Sequence, residues 1–357
     1  MTNIIQFKAP PKPQTAQQRL SALIENFALG RRGQDDVFWL KENAELLNIL
    51  ECTNTVMEVE NLQPLANFYD KIEGQIEFFP QYYRFILSIC LDLEDLGLNG
   101  NKAEAIADWV SNQGLAEAEL SDLQRAEAQR LLRRRDCAGL GDDEGLLGRL
   151  HQFIDRSDTF ALPNKKAAYE LTHIVFYLSE YGRTDPQLSQ AAVTSLEYAG
   201  VLAYLDQNSD LLAEVCIALQ YAGEQPSQVW VDWLEQQAHY FVLSDSQGAG
   251  QNDEYHDFFV CNWLMASSGR KYFVQQVPAG PMRISQGHSC IGPLREISRT
   301  MFDLRAARSS NWQQMKPHVE AALNEDGHGI LNAAMHSCRD FEGFFAGFAR
   351  ADSGAAC

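Results

Sequence analysis

The chain has 357 residues, 45% of them hydrophobic, and carries 29 Lys and Arg against 48 Asp and Glu, a formal net charge of −19. That length supports a full hydrophobic core, and the negative charge repels nucleic acid and anionic membranes. No apolar run is long enough for a membrane span, and Met1–Lys8 lacks the apolar stretch and small-residue cleavage site of a secretory signal, so the cytoplasm is the expected compartment. The eight Cys are scattered without a C-x-x-C pair and read mostly as reduced core thiols.

Residues 1–14, with Ala9-Pro10-Pro11-Lys12-Pro13, read as a flexible tail. Helical periodicity then dominates. It predicts helices over 15–29, 36–51, 60–73, 78–95, 102–113, 119–135, 143–155, 163–181, 187–204, 208–222, 227–241 and 253–267, separated by Gly, Asn, Pro and Asp. Apolar helices end near Gly97, Gly139, Gly182, Gly223 and Ser268, at intervals of 42, 43, 41 and 45. A period of about 42 residues means antiparallel helical hairpins stacked as a solenoid or closed into an α/α toroid. The expected fold is all-α, an α/α toroid or toroid-like barrel forming a single repeat domain over 15–349, with a short tail at 350–357. The pattern breaks after Gly269. Lys271–Pro281 reads as a short extended run and a turn, so an irregular or β-hairpin insertion is expected near 270–293, suited to a lid or pocket wall. Helices resume near 294–307, 310–323 and 329–348.

The charge is uneven. From Thr184 to Gly269 there is no Lys or Arg but there are twelve acids. A pocket built mainly from this stretch holds no cationic side chain for a phosphate or carboxylate and favours a metal ion or organic cation. Within the helix expected over 163–181, Glu170, His173, Tyr177 and Glu180 share one face, opposite Ala168, Leu171, Val175 and Leu178. The repeat serves as a ruler: His173 lies nine residues before Gly182 and Glu214 nine before Gly223, so the two are expected to converge. Glu214 is a carboxylate in an otherwise apolar helix and needs a partner or a shifted pKa. His256, beside a positive helix N-terminus, reads as a neutral imidazole and a candidate ligand or base, whereas Asp253 and Glu254 suit the helix dipole. Glu170-x-x-His173 has the i, i+3 spacing of di-metal carboxylate bundles, but no second copy occurs, so a mononuclear site is the better reading.

His-Ser-Cys occurs twice. His288-Ser289-Cys290 falls in the irregular segment and offers His288 to a metal, whereas His336-Ser337-Cys338 falls in a helix and reads as structural. Arg130, Arg133, Arg134 and Arg135 read as a solvated helix C-terminus. No phosphate-binding glycine loop, Gly-x-Gly-x-x-Gly or Gly-x-Ser-x-Gly is present, so no nucleotide cofactor is expected.

The segment Glu170-Leu171-Thr172-His173-x-x-Phe176-Tyr177-x-x-x-x-Gly182, with Asp36–Asn43, resembles an uncharacterised bacterial family of α/α-toroid-like proteins. The resemblance covers about a third of the chain, implies the architecture and no activity, and marks His173. The tetrad Asp92-Leu93-Glu94-Asp95 resembles the acidic motif of class II terpene cyclases, which are also α/α toroids.

Three functions follow. The first is a metal-dependent tailoring enzyme acting on a small molecule or peptide in a polar cavity. In it His173, His256, Glu214 and His288 hold one transition metal ion (iron, zinc or copper), and Glu214, Glu170 and Tyr177 serve catalysis. The second is a non-catalytic helical-repeat adaptor for a basic protein or peptide. The third is a metal-free toroid cyclase or lyase with Asp95 or Glu214 as acid.

Overall fold

A computed structural model describes residues 13–137, 145–246, 253–288 and 290–351. Those residues form eighteen α-helices. The first half holds α1 (Ala16–Glu25), α2 (Val37–Cys52), α3 (Gln63–Asp70), α4 (Ile72–Phe78), α5 (Tyr83–Asp95), α6 (Lys102–Asn112), α7 (Asp122–Arg133), α8 (Leu146–Ile154), α9 (Ser157–Phe160) and α10 (Lys165–Leu178). The second half holds α11 (Gln190–Leu205), α12 (Ser209–Tyr221), α13 (Gln228–Tyr240), α14 (Tyr255–Ser267), α15 (Leu294–Leu304), α16 (Trp312–Glu320), α17 (Glu325–Ser337) and α18 (Phe341–Ala349).

Local chemistry sets these boundaries. Thr15, Asp36, Ser121, Asn164, Ser189 and Asn208 each accept a backbone N–H in the first turn of the helix that follows, satisfying a donor that the helix itself leaves open. Gly97, Gly182, Gly223 and Gly269 follow helix ends with positive φ, the left-handed conformation of a helix-terminating residue. Gly182 is the most constrained of these: at φ +84 a Cβ would meet the Tyr221 ring at 2.5 Å. Gly182→Ala therefore combines left-handed strain with overpacking, and we expect a loss of about 2 kcal/mol or more, read as a shift in urea midpoint. A loss below about 0.5 kcal/mol would show that the turn relaxes freely.

Several expected boundaries move. The helix expected over 60–73 breaks at Lys71, and that over 78–95 starts only at Tyr83, because Pro80 opens a separate 3-10 turn. The run 329–348 is two helices, since Asp340 leaves helical geometry and caps Gly343 N–H. The helix expected over 163–181 ends at Leu178, so Glu180 leaves the face it was expected to share with His173. The insertion near 270–293 is not a hairpin in itself: β2 (Met282–Gln286) pairs antiparallel with β1 (Phe241–Asp245), and Lys271–Pro281 contains no strand. β1 opens at Phe241, where the helix expected over 227–241 has given way to extended backbone.

Six helices pack in sequence. α2 lies on α5, α5 on α7, α7 on α10, α10 on α12, α12 on α14, and α14 returns to α2. The repeat is visible in side-chain pairs between neighbours: Arg84–Glu127 are 43 residues apart, Asp92–Arg134 42, Thr172–Glu214 42 and Tyr221–Trp263 42. α11 covers α12, α13 covers α12 and α14, α6 covers α5, and α8 covers α7. Helices in the middle of this packing are apolar on nearly every side. All residues from Leu211 to Leu219 of α12 are buried, among them Glu214. The N-terminal region is strapped to the segment before β2, where Arg19 donates to the Phe273 carbonyl and the Gln14 side chain pairs with the Val277 backbone.

Candidate metal centre

Three consecutive helices of the packing order bring their polar residues together. Asp210 and Glu214 lie one turn apart on α12, on the same face. His256, at the start of α14, places Nδ1 2.7 Å from Asp210 Oδ1. From α10, the Tyr169 hydroxyl donates to Asp210 Oδ2 at 2.7 Å, and His173 Nδ1 stands 3.7 Å from Glu214 Oε2. Glu45 of α2 reaches the far side of His256, with 3.8 Å between Glu45 Oε1 and His256 Nε2. Asp257 stands close by and accepts from the Ser209 hydroxyl at 3.2 Å. One ligand atom each from Asp210, Glu214 and His256 fall within 4.8 Å of one another.

Burial and charge divide the labour. Burial raises the Glu214 pKa, opposed by the charges of His173 and His256. The Thr172 hydroxyl lies within reach of two acceptors, Glu214 Oε2 at 2.5 Å and the Tyr169 carbonyl at 3.0 Å, and its donation to Glu214 favours the carboxylate. Burial would also raise Asp210, but the hydrogen bond and charge of His256 and the Tyr169 hydroxyl outweigh it and hold the carboxylate ionised. Burial would lower His256, yet Asp210, then Glu45 and Glu214, lift it to about 10. Burial, followed by the Asp210 charge, raises Asp257 to about 6. His173 Nδ1 donates to the Tyr169 carbonyl at 2.7 Å, which fixes the orientation of the ring.

A family model described as "Domain of unknown function (DUF6902)" matches residues 1–351. The chain belongs to the DUF6902 family. No curated protein and no solved structure matches it.

Of the residues expected at a site in this DUF6902 chain, His173, Glu214 and His256 come together. His256, expected as a neutral imidazole, is instead held protonated by Asp210. Tyr177 stands edge-on to His173, ring centroids 6.1 Å apart. Glu170 is half-buried on α10 and forms no hydrogen bond with the cluster. His288 lies elsewhere, exposed and packed against the Tyr240 ring at 5.4 Å. Its neighbour Ser289 is outside the described residues, and Cys290 is exposed. His336 Nδ1 donates to the Asn332 carbonyl within its own helix. Asp253 and Glu254 lie just before α14, Glu254 as its N-cap residue, but no side-chain hydrogen bond caps the helix. They accept from the Ile284 and Gln286 N–H groups of β2 and fix the strand.

The sequence reading missed Asp210, Tyr169, Thr172 and Glu45 as site residues. Asp210 was within reach, since it precedes Glu214 by one helical turn, as Tyr169 precedes His173. The Asp92–Asp95 tetrad is held by arginines: Arg134 pairs with Asp92 at 2.7 Å and Asp95 at 2.6 Å, and Arg135 with Asp95 at 2.8 Å. Burial would raise Asp95, but its hydrogen bonds from Arg135 and Arg134 hold it ionised, which makes it a poor general acid. Arg134 is correspondingly not part of a solvated helix end.

Proposed function

We propose that this chain is a metal-dependent enzyme that activates water against a small-molecule or peptide substrate, with Asp210, Glu214 and His256 holding one divalent transition metal. The observation that carries this is the convergence of the three ligand atoms within 4.8 Å, in a stretch, Thr184 to Gly269, that has no Lys or Arg of its own. Two carboxylate oxygens and one imidazole suit iron or zinc. Three protein ligands would leave positions for water and substrate, and a bound ion would lower the pKa of that water. His173, oriented by the Tyr169 carbonyl, would take the proton, and Tyr177 lies against its ring. The architecture belongs to the same proposal: the return of α14 onto α2 supports a closed α/α toroid.

Elemental analysis of untagged protein, before and after reconstitution with iron, zinc, copper and manganese, tests the site. We expect near-stoichiometric metal that both Asp210→Asn and His256→Ala lose while keeping the helical circular dichroism spectrum. A folded protein that takes up none of the four metals would overturn the proposal and leave the cluster as an internal ion-pair network.

A further inference from the structure

Arg130 of α7 plays no part in the metal cluster. Its side chain is almost wholly buried, with 3% exposure for the residue, yet it makes no hydrogen bond among the described residues. Nε and Nη2 are buried without an acceptor, although a guanidinium carries five N–H donors that are costly to leave unmet. What it has is one loose ion pair, Glu180 Oε2 at 3.4 Å from Nε, and the face of Tyr181 at 4.2 Å. Both come from the turn after α10, where Glu180, Tyr181 and Gly182 all have positive φ.

Arg130 lines a cleft of about 310 Å³. Arg133, exposed and one turn further along α7, stands at the same cleft, as do His151 of α8 and Tyr177 of α10. The remaining wall has an apolar part, Leu147, Leu150, Leu178 and Pro186, and a polar rim that includes Asp185, so the cleft joins a cationic end to a largely apolar side and carries acids that oppose a highly charged anion. Such a volume suits a ligand of modest size. The planar fork of arginine matches a carboxylate bidentately. Glu180 already places one negative charge beside Arg130, which favours a monoanion over a phosphate dianion.

We propose that this cleft binds a small organic carboxylate with an apolar body, the carboxylate on Arg130 and Arg133 and the body against Leu147, Leu150 and Tyr177. The proposal does not depend on the metal reading. It is tested on full-length protein stripped of metal on a chelating resin, by isothermal titration with benzoate, phenylacetate and hexanoate, with benzyl alcohol and inorganic phosphate as controls. At least one carboxylate should bind saturably at one per chain and benzyl alcohol should not. Arg133→Glu, a change at an exposed position, should weaken binding at least tenfold with an unchanged thermal melt. Arg130→Lys, which keeps the charge and loses the fork, should weaken it similarly. Absence of saturable binding by all three carboxylates, tighter binding of phosphate, equal binding of benzyl alcohol, or wild-type binding by Arg133→Glu would each overturn the proposal.

Discussion

Replacing Arg31 by Met should destabilise the fold by about 3–5 kcal/mol, the cost typical of breaking a buried ion pair from one side. Arg31 is fully buried and its donors meet five acceptors: both oxygens of Glu42 at 3.0 and 3.2 Å, both of Asp253 at 2.7 and 3.0 Å, and the Met282 carbonyl at 3.0 Å. The two carboxylates are 1% exposed, so without the guanidinium each is left charged in a dry site. Glu42 would retain Arg32 at 2.6 Å and Asp253 the Ile284 N–H, which keeps the loss near that range. Urea unfolding measures it. A triple variant with Glu42→Gln and Asp253→Asn should recover part of the loss, because the unpaired charges are then gone. A single-variant loss below about 1 kcal/mol would show that these ions are solvated when the fold breathes.

The second large effect is a pH dependence. His256 titrates near 10 in the fold against an ordinary value of 6.5. Its contribution to stability is therefore fully present below about 6.5 and is lost as pH rises through about 10. For metal-free protein we expect a loss of about 2–4 kcal/mol between pH 6.5 and 10, measured by urea unfolding. Asp210→Asn should flatten that slope. In the His256 Cε1–H resonance the wild-type midpoint should lie well above 8, and in Asp210→Asn it should fall below 7. A wild-type midpoint below 7 would mean that the imidazole is neutral and the ion pair with Asp210 does not form. The same proton must leave before a metal binds, so metal affinity should climb with pH over this interval.

Helical period and punctuation were legible in the sequence because each helix buries a face and ends at a residue with a distinct backbone preference. The 42-residue ruler works for a related reason. Stacked units repeat their geometry, so Thr172 and Glu214, 42 apart, touch, and His173 stands 3.7 Å from Glu214. What stayed hidden depends on contacts that no local pattern encodes. Glu45 reaches His256 only because α14 packs back on α2. β1 and β2 find each other across 36 residues of intervening chain, and Asp253 stands outside its expected helix, paired with Arg31, 222 positions away. A place near a helix N-terminus favours a neutral His256, whereas the Asp210 carboxylate on the neighbouring helix favours the charged form. His288 is singled out by a motif in an irregular segment, and a His-x-Cys motif says nothing about which neighbour that segment brings.

The packing of α14 on α2, together with the strap from Gln14 and Arg19 to Phe273 and Val277, bears on how the chain reaches this state. Contacts between residues more than 200 positions apart are entropically late. During synthesis α2 must wait, one apolar flank uncovered, until the whole stretch through β2 has left the ribosome. Refolding should accordingly show a slow final phase in which α14 docks on α2, and a chain shortened before residue 286 would carry two unmatched faces that another copy could fill by exchange.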